Sequence, residues 1–414
     1  MAATREHRRT PSRKAAWRAL SAAALAATLA LVTACGDDSP SASWSDGKKD
    51  GGGQQADGGP KQAGTITSPA ANAKDVPAST EIAFTLDNAT NPTVELKSAS
   101  GETVKGAMSE DGKSWLPDGA LDYGTAYTAT INATGADGKP ATTTSTFTTM
   151  AKPTKVVRVS SFLGENQVVG VGMPVIVRFS RAVPQDFRDD VQRRLTVRST
   201  PEQEGIWHWV SPTEVHFRPK TFWQSGTKIS YRMQTGGLPM GDGYYGRADV
   251  SVDIKIGPSF VMTVDNKTKK MTVTKDGKVI KTIPVSLGKA STPSASGTMV
   301  IIEKQRKTVF DTMDDPNPAN RYRTPIDFAQ RLTWSGQFIH AAPWSEGKQG
   351  RVNVSHGCVN VSEAMGAWLF GQTRIGDPIT VKNTEEKLEN GNGWTDWNMS
   401  WDQYVKGSAI PYNG

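Results

Sequence analysis

Cysteine is scarce: two occur in 414 residues, at positions 35 and 358. At most one intramolecular bridge can form, which excludes a fold stapled by disulfides. Histidine is nearly as rare, with five in all, so few candidates exist for chemistry that needs a titrating imidazole. An excess of one charge is also missing from most of the chain. The formal charge is +7, but residues 1–34 hold six of the 48 Lys and Arg and one of the 41 Asp and Glu, leaving 42 against 40. No basic cluster interleaved with aromatics follows, and that pattern excludes nucleic acid as a partner. The apolar run "ALSAAALAATLALVTAC" is too short and too tightly bounded for a membrane span.

What precedes that run is basic: Arg5, Arg8, Arg9, Arg13, Lys14 and Arg18. Basic segment and apolar run together predict an export signal over residues 1–35. Its end, Leu31-Val32-Thr33-Ala34-Cys35, resembles the lipobox of bacterial lipoproteins. The resemblance implies that Cys35 becomes a lipid-modified first residue, anchoring the chain to the outer face of the cytoplasmic membrane and letting it reach into the wall. The alternative is an ordinary signal peptide cut near Ala34, which leaves an idle exposed thiol. With Cys35 lipidated, Cys358 has no partner and is a lone thiol outside the cytoplasm. Its neighbours, His356 and Gly357, favour chemistry over inert packing.

Residues 36–62 are Gly, Ser, Asp and Lys with almost nothing to bury, which predicts a disordered tether. Its r.m.s. span is roughly 30 Å. Residues 63–150 and 153–252 each alternate apolar and polar residues in short runs separated by turns, predicting two tandem immunoglobulin-like sandwiches. They share an order of features, with Gly124-Thr125 and Gly226-Thr227 each opening a strand after an aromatic turn. His208, His216, Trp207 and Trp209 fall on strand patterns there and are expected to be structural. The expected role of both sandwiches is to act as spacers.

Texture changes near residue 258. Alternating strands with turns at Asp265-Asn266 and Asp276-Gly277, further strands at "GTMVIIEK" and "QFIHAAP", and a helix over "SEAMGAWLFGQ" capped by Ser362 predict a β-rich third domain over 255–384. Residues 385–414 form a tail holding three tryptophans within eight residues, expected to pack on that domain. The fold class is therefore mainly β.

Chemistry concentrates in the third domain. His340 ends a strand-like run eighteen positions before Cys358, and His356 lies two before it. A cysteine nucleophile needs a base in hydrogen-bond reach and a third group to orient that base. Gly357 suits a loop whose amide groups face a substrate carbonyl or that takes positive φ. His340, His356 and Cys358 also form a plausible zinc set.

"HAAPWSEGKQGRVNVSHGCVNVS" resembles the signature of the L,D-transpeptidases of bacterial cell walls: a histidine, a loop, then Ser/Thr-His-Gly-Cys-x-Asn. His340, Ser355, His356, Gly357, Cys358 and Asn360 fall on its positions, and the resemblance spans roughly 255–384. It is strongest toward mycobacterial-type lipoprotein members. The resemblance implies an acyl transfer without cofactor. Cys358 would attack the third residue of a tetrapeptide stem and release D-alanine, with His340 as base held by the carbonyl of Ala341. His356 and Ser355 would shape the loop, Gly357 and Cys358 would offer backbone donors, and Asn360 would brace it. Tyr322 and Trp344 would cover the acyl site, against the alternative that both pack in the core. A second stem would resolve the thioester as a 3→3 cross-link, and carbapenems would acylate the same thiol. A thiol paired with histidine is expected to be acidified. Two other functions stay open at this level: a zinc-dependent wall hydrolase and a non-catalytic scaffold lipoprotein.

Overall fold

The computed structural model describes residues 62–412, apart from 110, 315, 319 and 320. The export segment with Cys35, and the tether save for its last residue, lie outside the described residues. What is described is mainly β, as the alternation predicts.

In the first sandwich, strands Gly64–Ser68, Ile82–Leu86, Ser114–Pro117 and Gly106–Met108 form one sheet. Ala73–Val76, Pro140–Thr149, Ala126–Gly135, Ala89–Ser98 and Thr103–Val104 form the other. Every second residue of Ala126–Gly135 turns inward, so Tyr127, Ala129 and Ile131 are buried with Leu96 and Phe147. The second sandwich sets Val159–Ser161, Val175–Phe179, Glu214–Pro219 and Gly205–Ser211 against Val168–Val169, Val250–Ile256, Lys228–Met233 and Leu195–Thr200. Its last strand thus runs beyond residue 252, and a short helix, Arg188–Arg193, interrupts it where only strands were read. Trp207 and Trp209 lie in its core, their indole N–H groups donating to Leu195 O at 2.9 Å and Gln192 Oε1 at 3.1 Å.

The third domain has a six-stranded sheet and a four-stranded one, Glu303–Asp311, Arg323–Arg331, Phe338–Ala341 and Val359–Val361. Helix Glu363–Gln372 starts at Ser362, whose Oγ accepts from Met365 N at 3.3 Å.

The tail does more than was expected of it. It packs on the third domain as expected, where Glu386–Lys387 pairs with Ala295–Val300, Asn392 bonds Ser335 and Trp394 meets Trp334, but it does not stop there. Beyond that, its aromatics cross to the second sandwich. Trp397 Nε1 donates to Gly172 O at 2.7 Å, and the Arg218 guanidinium lies over the rings of Trp397 and Tyr404 at 4.5 and 4.3 Å. Trp394 joins one apolar cluster that mixes sandwich residues such as Val171 and Met173 with Val300 and Ile302 of the third domain. The physical reason is burial: at the seam between the two domains an indole loses most of its apolar surface to water-free contacts, as Trp394 does. Gly170 N to Ile375 O at 2.8 Å and Gly172 N to Gly376 O at 2.9 Å close the same seam. The second sandwich is therefore more than a spacer.

His216, expected to be structural, holds the tail by charge. Its Nδ1 lies 2.9 Å from Asp396 and its Nε2 2.8 Å from Glu214, while the Tyr404 hydroxyl donates to Asp396 at 3.0 Å. Burial alone would lower the His216 pKa, but the two carboxylates raise it to about 9. A histidine pKa raised on folding contributes stability below the free value near 6.5, lost as pH climbs through 9. Thermal unfolding followed by tryptophan fluorescence should therefore show a melting temperature that falls between pH 6.5 and about 9. Asp396→Asn should start lower and lose that slope; an equally steep slope in the variant would refute the assignment.

Candidate active site

Strand Phe338–Ala341 pairs in parallel with Val359–Val361, with His340 opposite Asn360. Parallel neighbours need a crossover. Residues 342–358 supply it through the turn Pro343–Lys348 and the motif loop. This register, which no hairpin would give, brings the distant histidine to the cysteine. The pairing puts His340 and Asn360 on one face, and Cys358, just before the strand, lines the same cleft as both. Behind them, Gly366 lets the helix approach so closely that a Cβ there would sit 2.9 Å from the Ala341 Cβ.

His340 is buried, and its Nδ1–H donates to Ala341 O at 2.7 Å. That bond selects the tautomer whose Nε2 is free to take a proton. Burial drives the His340 pKa down to about 4, against a small rise from the Ala341 bond. Cys358 is 6% exposed, among Ile326, Ala329 and Phe338. Burial pushes its thiol up to about 11, and Phe338 and Arg331 offset only part. The acidified thiol expected from the sequence is therefore absent. Both groups rest neutral because desolvation outweighs the charge and hydrogen bonds that each one meets. The thiol itself donates to Gly336 O at 3.8 Å.

Ser355 shapes the motif loop: its Oγ donates to Cys358 O at 2.7 Å and accepts from Gly357 N at 3.1 Å. A compact hydroxyl can do both at once. One expected oxyanion donor, the Gly357 N–H, is thus already taken. The Cys358 N–H faces no backbone acceptor among the described residues. Gly357 has φ +118°, a conformation that L side chains rarely adopt, and a Cβ there would meet nothing closer than 3.6 Å. Its necessity is conformational, not steric.

His356, expected to shape the loop with Ser355, makes its side-chain contacts outside the motif. Its ring lies under Tyr322, centroids 5.2 Å apart, and its Nε2 is 3.0 Å from Lys289 Nζ. Lys289, Thr292 and Ser294 come from a segment whose catalytic bearing the sequence did not reveal. Thr292 Oγ1 donates to Ser355 O at 3.3 Å and Ser294 Oγ to Gly357 O at 2.7 Å. The only hint was a polar Thr-Pro turn next to a strand.

Tyr322 and Trp344 belong to the site rather than to the core. Both line a cleft of about 420 Å³ with His340, His356, Cys358 and Asn360, and Trp344 is 60% exposed. Asn360 is buried, donates to Ser345 Oγ at 3.3 Å, and leaves its Oδ1 without a partner. A second hollow of about 390 Å³, lined by Arg331, Trp334 and Gly336, shares Phe310, Tyr322 and His356 with the first. Among the described residues, no three His, Cys, Asp or Glu side chains converge as a metal-holding group.

The arrangement suits a neutral thiol and a neutral base that exchange a proton only during attack. Its pH signature follows from the sign of the His340 shift: the base stays competent as pH falls below 6.5 and is lost near 4. The acid limb of kcat/KM should accordingly lie near pH 4, and a limb at 6.5 would contradict it.

A profile of the L,D-transpeptidase catalytic domain matches residues 259–381, and one of a bacterial Ig domain matches 73–239. L,D-transpeptidase 2 of Mycobacterium tuberculosis is 36% identical over 320 residues, covering 76% of this chain and 78% of that protein. L,D-transpeptidase 5 of the same organism is 34% identical over 354 residues, covering 83% and 76%. An LD transpeptidase solved in complex with imipenem is 31% identical, covering 56% of this chain and 100% of its own, with a TM-score of 0.48.

Proposed function

Because the chain belongs to the L,D-transpeptidase family, and so is a peptidoglycan cross-linking enzyme, we propose that it forms 3→3 links through a thioester on Cys358. The observation that supports this most is that Cys358 and a tautomer-fixed His340 line one cleft, beside the parallel pairing of their segments. In the first half-reaction the thiol proton passes to His340 Nε2 as sulfur bonds to the carbonyl carbon of the third stem residue. The Cys358 N–H stabilises the resulting oxyanion, an interaction worth on the order of 3 kcal/mol in acyl transfer. Collapse breaks the amide bond, and the D-alanine amine leaves with the proton from His340. In the second half-reaction the side-chain amine of another stem attacks the thioester. His340 takes its proton and returns one to the departing thiol. The two hollows that meet at His356 give room for two stems, and Tyr322, Trp344 and Phe310 keep water from the thioester.

The test is to incubate the purified protein with a disaccharide tetrapeptide and weigh the products. A dimer short of one D-alanine is expected, together with an acyl adduct on Cys358. Tripeptide alone would mean hydrolysis, and no adduct on Cys358 from donor or carbapenem would sink the proposal. Carbapenems enter as acyl donors whose strained amide the same thiol opens. We further propose export and lipid attachment at Cys35, which anchors the enzyme outside the membrane. Cys35→Ser should then leave the membrane fraction, and its retention there would argue against the anchor.

A further inference from the structure

Lys289 is anchored beside the nucleophile. Its backbone N–H donates to Ser355 O at 2.9 Å, and Gly288 bridges Ser355, three residues before Cys358. Its ammonium lies 3.0 Å from His356 Nε2 in an exposed contact. An ammonium only donates, so that ring nitrogen is an unprotonated acceptor and the ring carries no charge. Burial and Lys289 itself both lower the His356 pKa, which keeps the ring in that form. A neutral partner leaves the positive charge of Lys289 uncompensated, and no carboxylate pairs with it among the described residues. No Asp or Glu lines the cleft around Cys358, whose wall includes His356, the partner of Lys289. An uncompensated cation beside a cleft that holds no acid favours an anion there.

We propose that Lys289 Nζ, held in place by His356, seats the terminal carboxylate of the donor stem. This rests on the acyl transfer proposed above. In that donor the carboxylate-bearing α-carbon lies one step, about 3.8 Å, beyond the residue attacked. His356 lines the same cleft as Cys358, so a carboxylate seated at Lys289 presses the scissile carbonyl toward the thiol. A stem longer by one residue carries its charge too far along, and an amidated stem has none to offer. The seat empties when D-alanine leaves, which frees the space for the acceptor. Lys289 is thereby a determinant of stem length as well as of affinity.

The experiment compares two donors on the full-length protein: a tetrapeptide with a free terminal carboxylate and the same stem as its carboxamide. The native enzyme should prefer the carboxylate by about tenfold in kcat/KM, chiefly through KM, and added salt should shrink the preference. Lys289→Met should bring the ratio close to one, while Lys289→Arg should restore most of it. Equal losses with both donors in Lys289→Met would show a merely structural lysine and overturn the proposal, as would a native enzyme indifferent to the carboxylate. Binding of both donors to Cys358→Ala reads the seat without chemistry, so a failure of acyl transfer and a failure of the carboxylate seat give different results.

Discussion

Cys358→Ala abolishes cross-link formation and His340→Gln lowers kcat/KM by on the order of 10²–10⁴-fold: these are the expected results for a nucleophile and a general base that both rest neutral. Had the pair been a thiolate and an imidazolium, removing the histidine would first have raised the thiol pKa. Here the thiol is already held up to about 11 by burial, and His340 is held down to about 4, so what His340→Gln removes is proton transfer during attack. Glutamine keeps an N–H that can reach Ala341 O but has no basic nitrogen. Alkylation of Cys358 by a neutral reagent should therefore change much less than turnover. His340→Gln retaining kcat/KM within threefold of the native enzyme would remove His340 from the mechanism.

Trp394→Ala should be among the most destabilising single changes, costing about 3–5 kcal/mol. Trp394 is 1% exposed and sits edge-on to Phe162 at 4.6 Å, with Val300 and Ile302 in the same cluster. Truncation would leave a void at the junction of tail, second sandwich and third domain, whose walls come from separate elements and cannot collapse together. The indole N–H is buried without a partner, which trims the loss slightly because alanine relieves that orphan donor. Denaturant unfolding would read the effect, and a loss under about 1 kcal/mol would mean that the seam does not depend on this residue. Kinetics at low temperature should be nearly native in the folded fraction, since Trp394 lines neither hollow at Cys358.

Much of this molecule was legible because its signals are local. Alternation along "AYTATINATG" gives the inward side chains of Ala126–Gly135, and Ser362 followed by Glu363 marks a helix start that the structure places at Glu363. The family was legible through the resemblance of the motif formed by His340, Ser355, His356, Gly357, Cys358 and Asn360. Roles inside the motif were less legible. Ser355 and His356 look alike as polar loop residues, yet one spends its hydroxyl on the Gly357 N–H and the Cys358 carbonyl while the other turns toward Lys289. Lys289 escaped notice because its partner lies 67 positions away.

By itself, then, the sequence determined the mainly β character, the helix cap, the scarcity of thiols and the residues of the motif, since each depends on neighbours a few positions apart. Only the tertiary structure decided that His340 reaches Cys358 through a parallel register, that both rest neutral, that one expected oxyanion donor is occupied, and that the tail binds the second sandwich. The physical reason is that protonation and hydrogen-bond allocation follow desolvation and the partners met in space. Those partners come from segments as far apart as His216 and Asp396, separated by 180 positions.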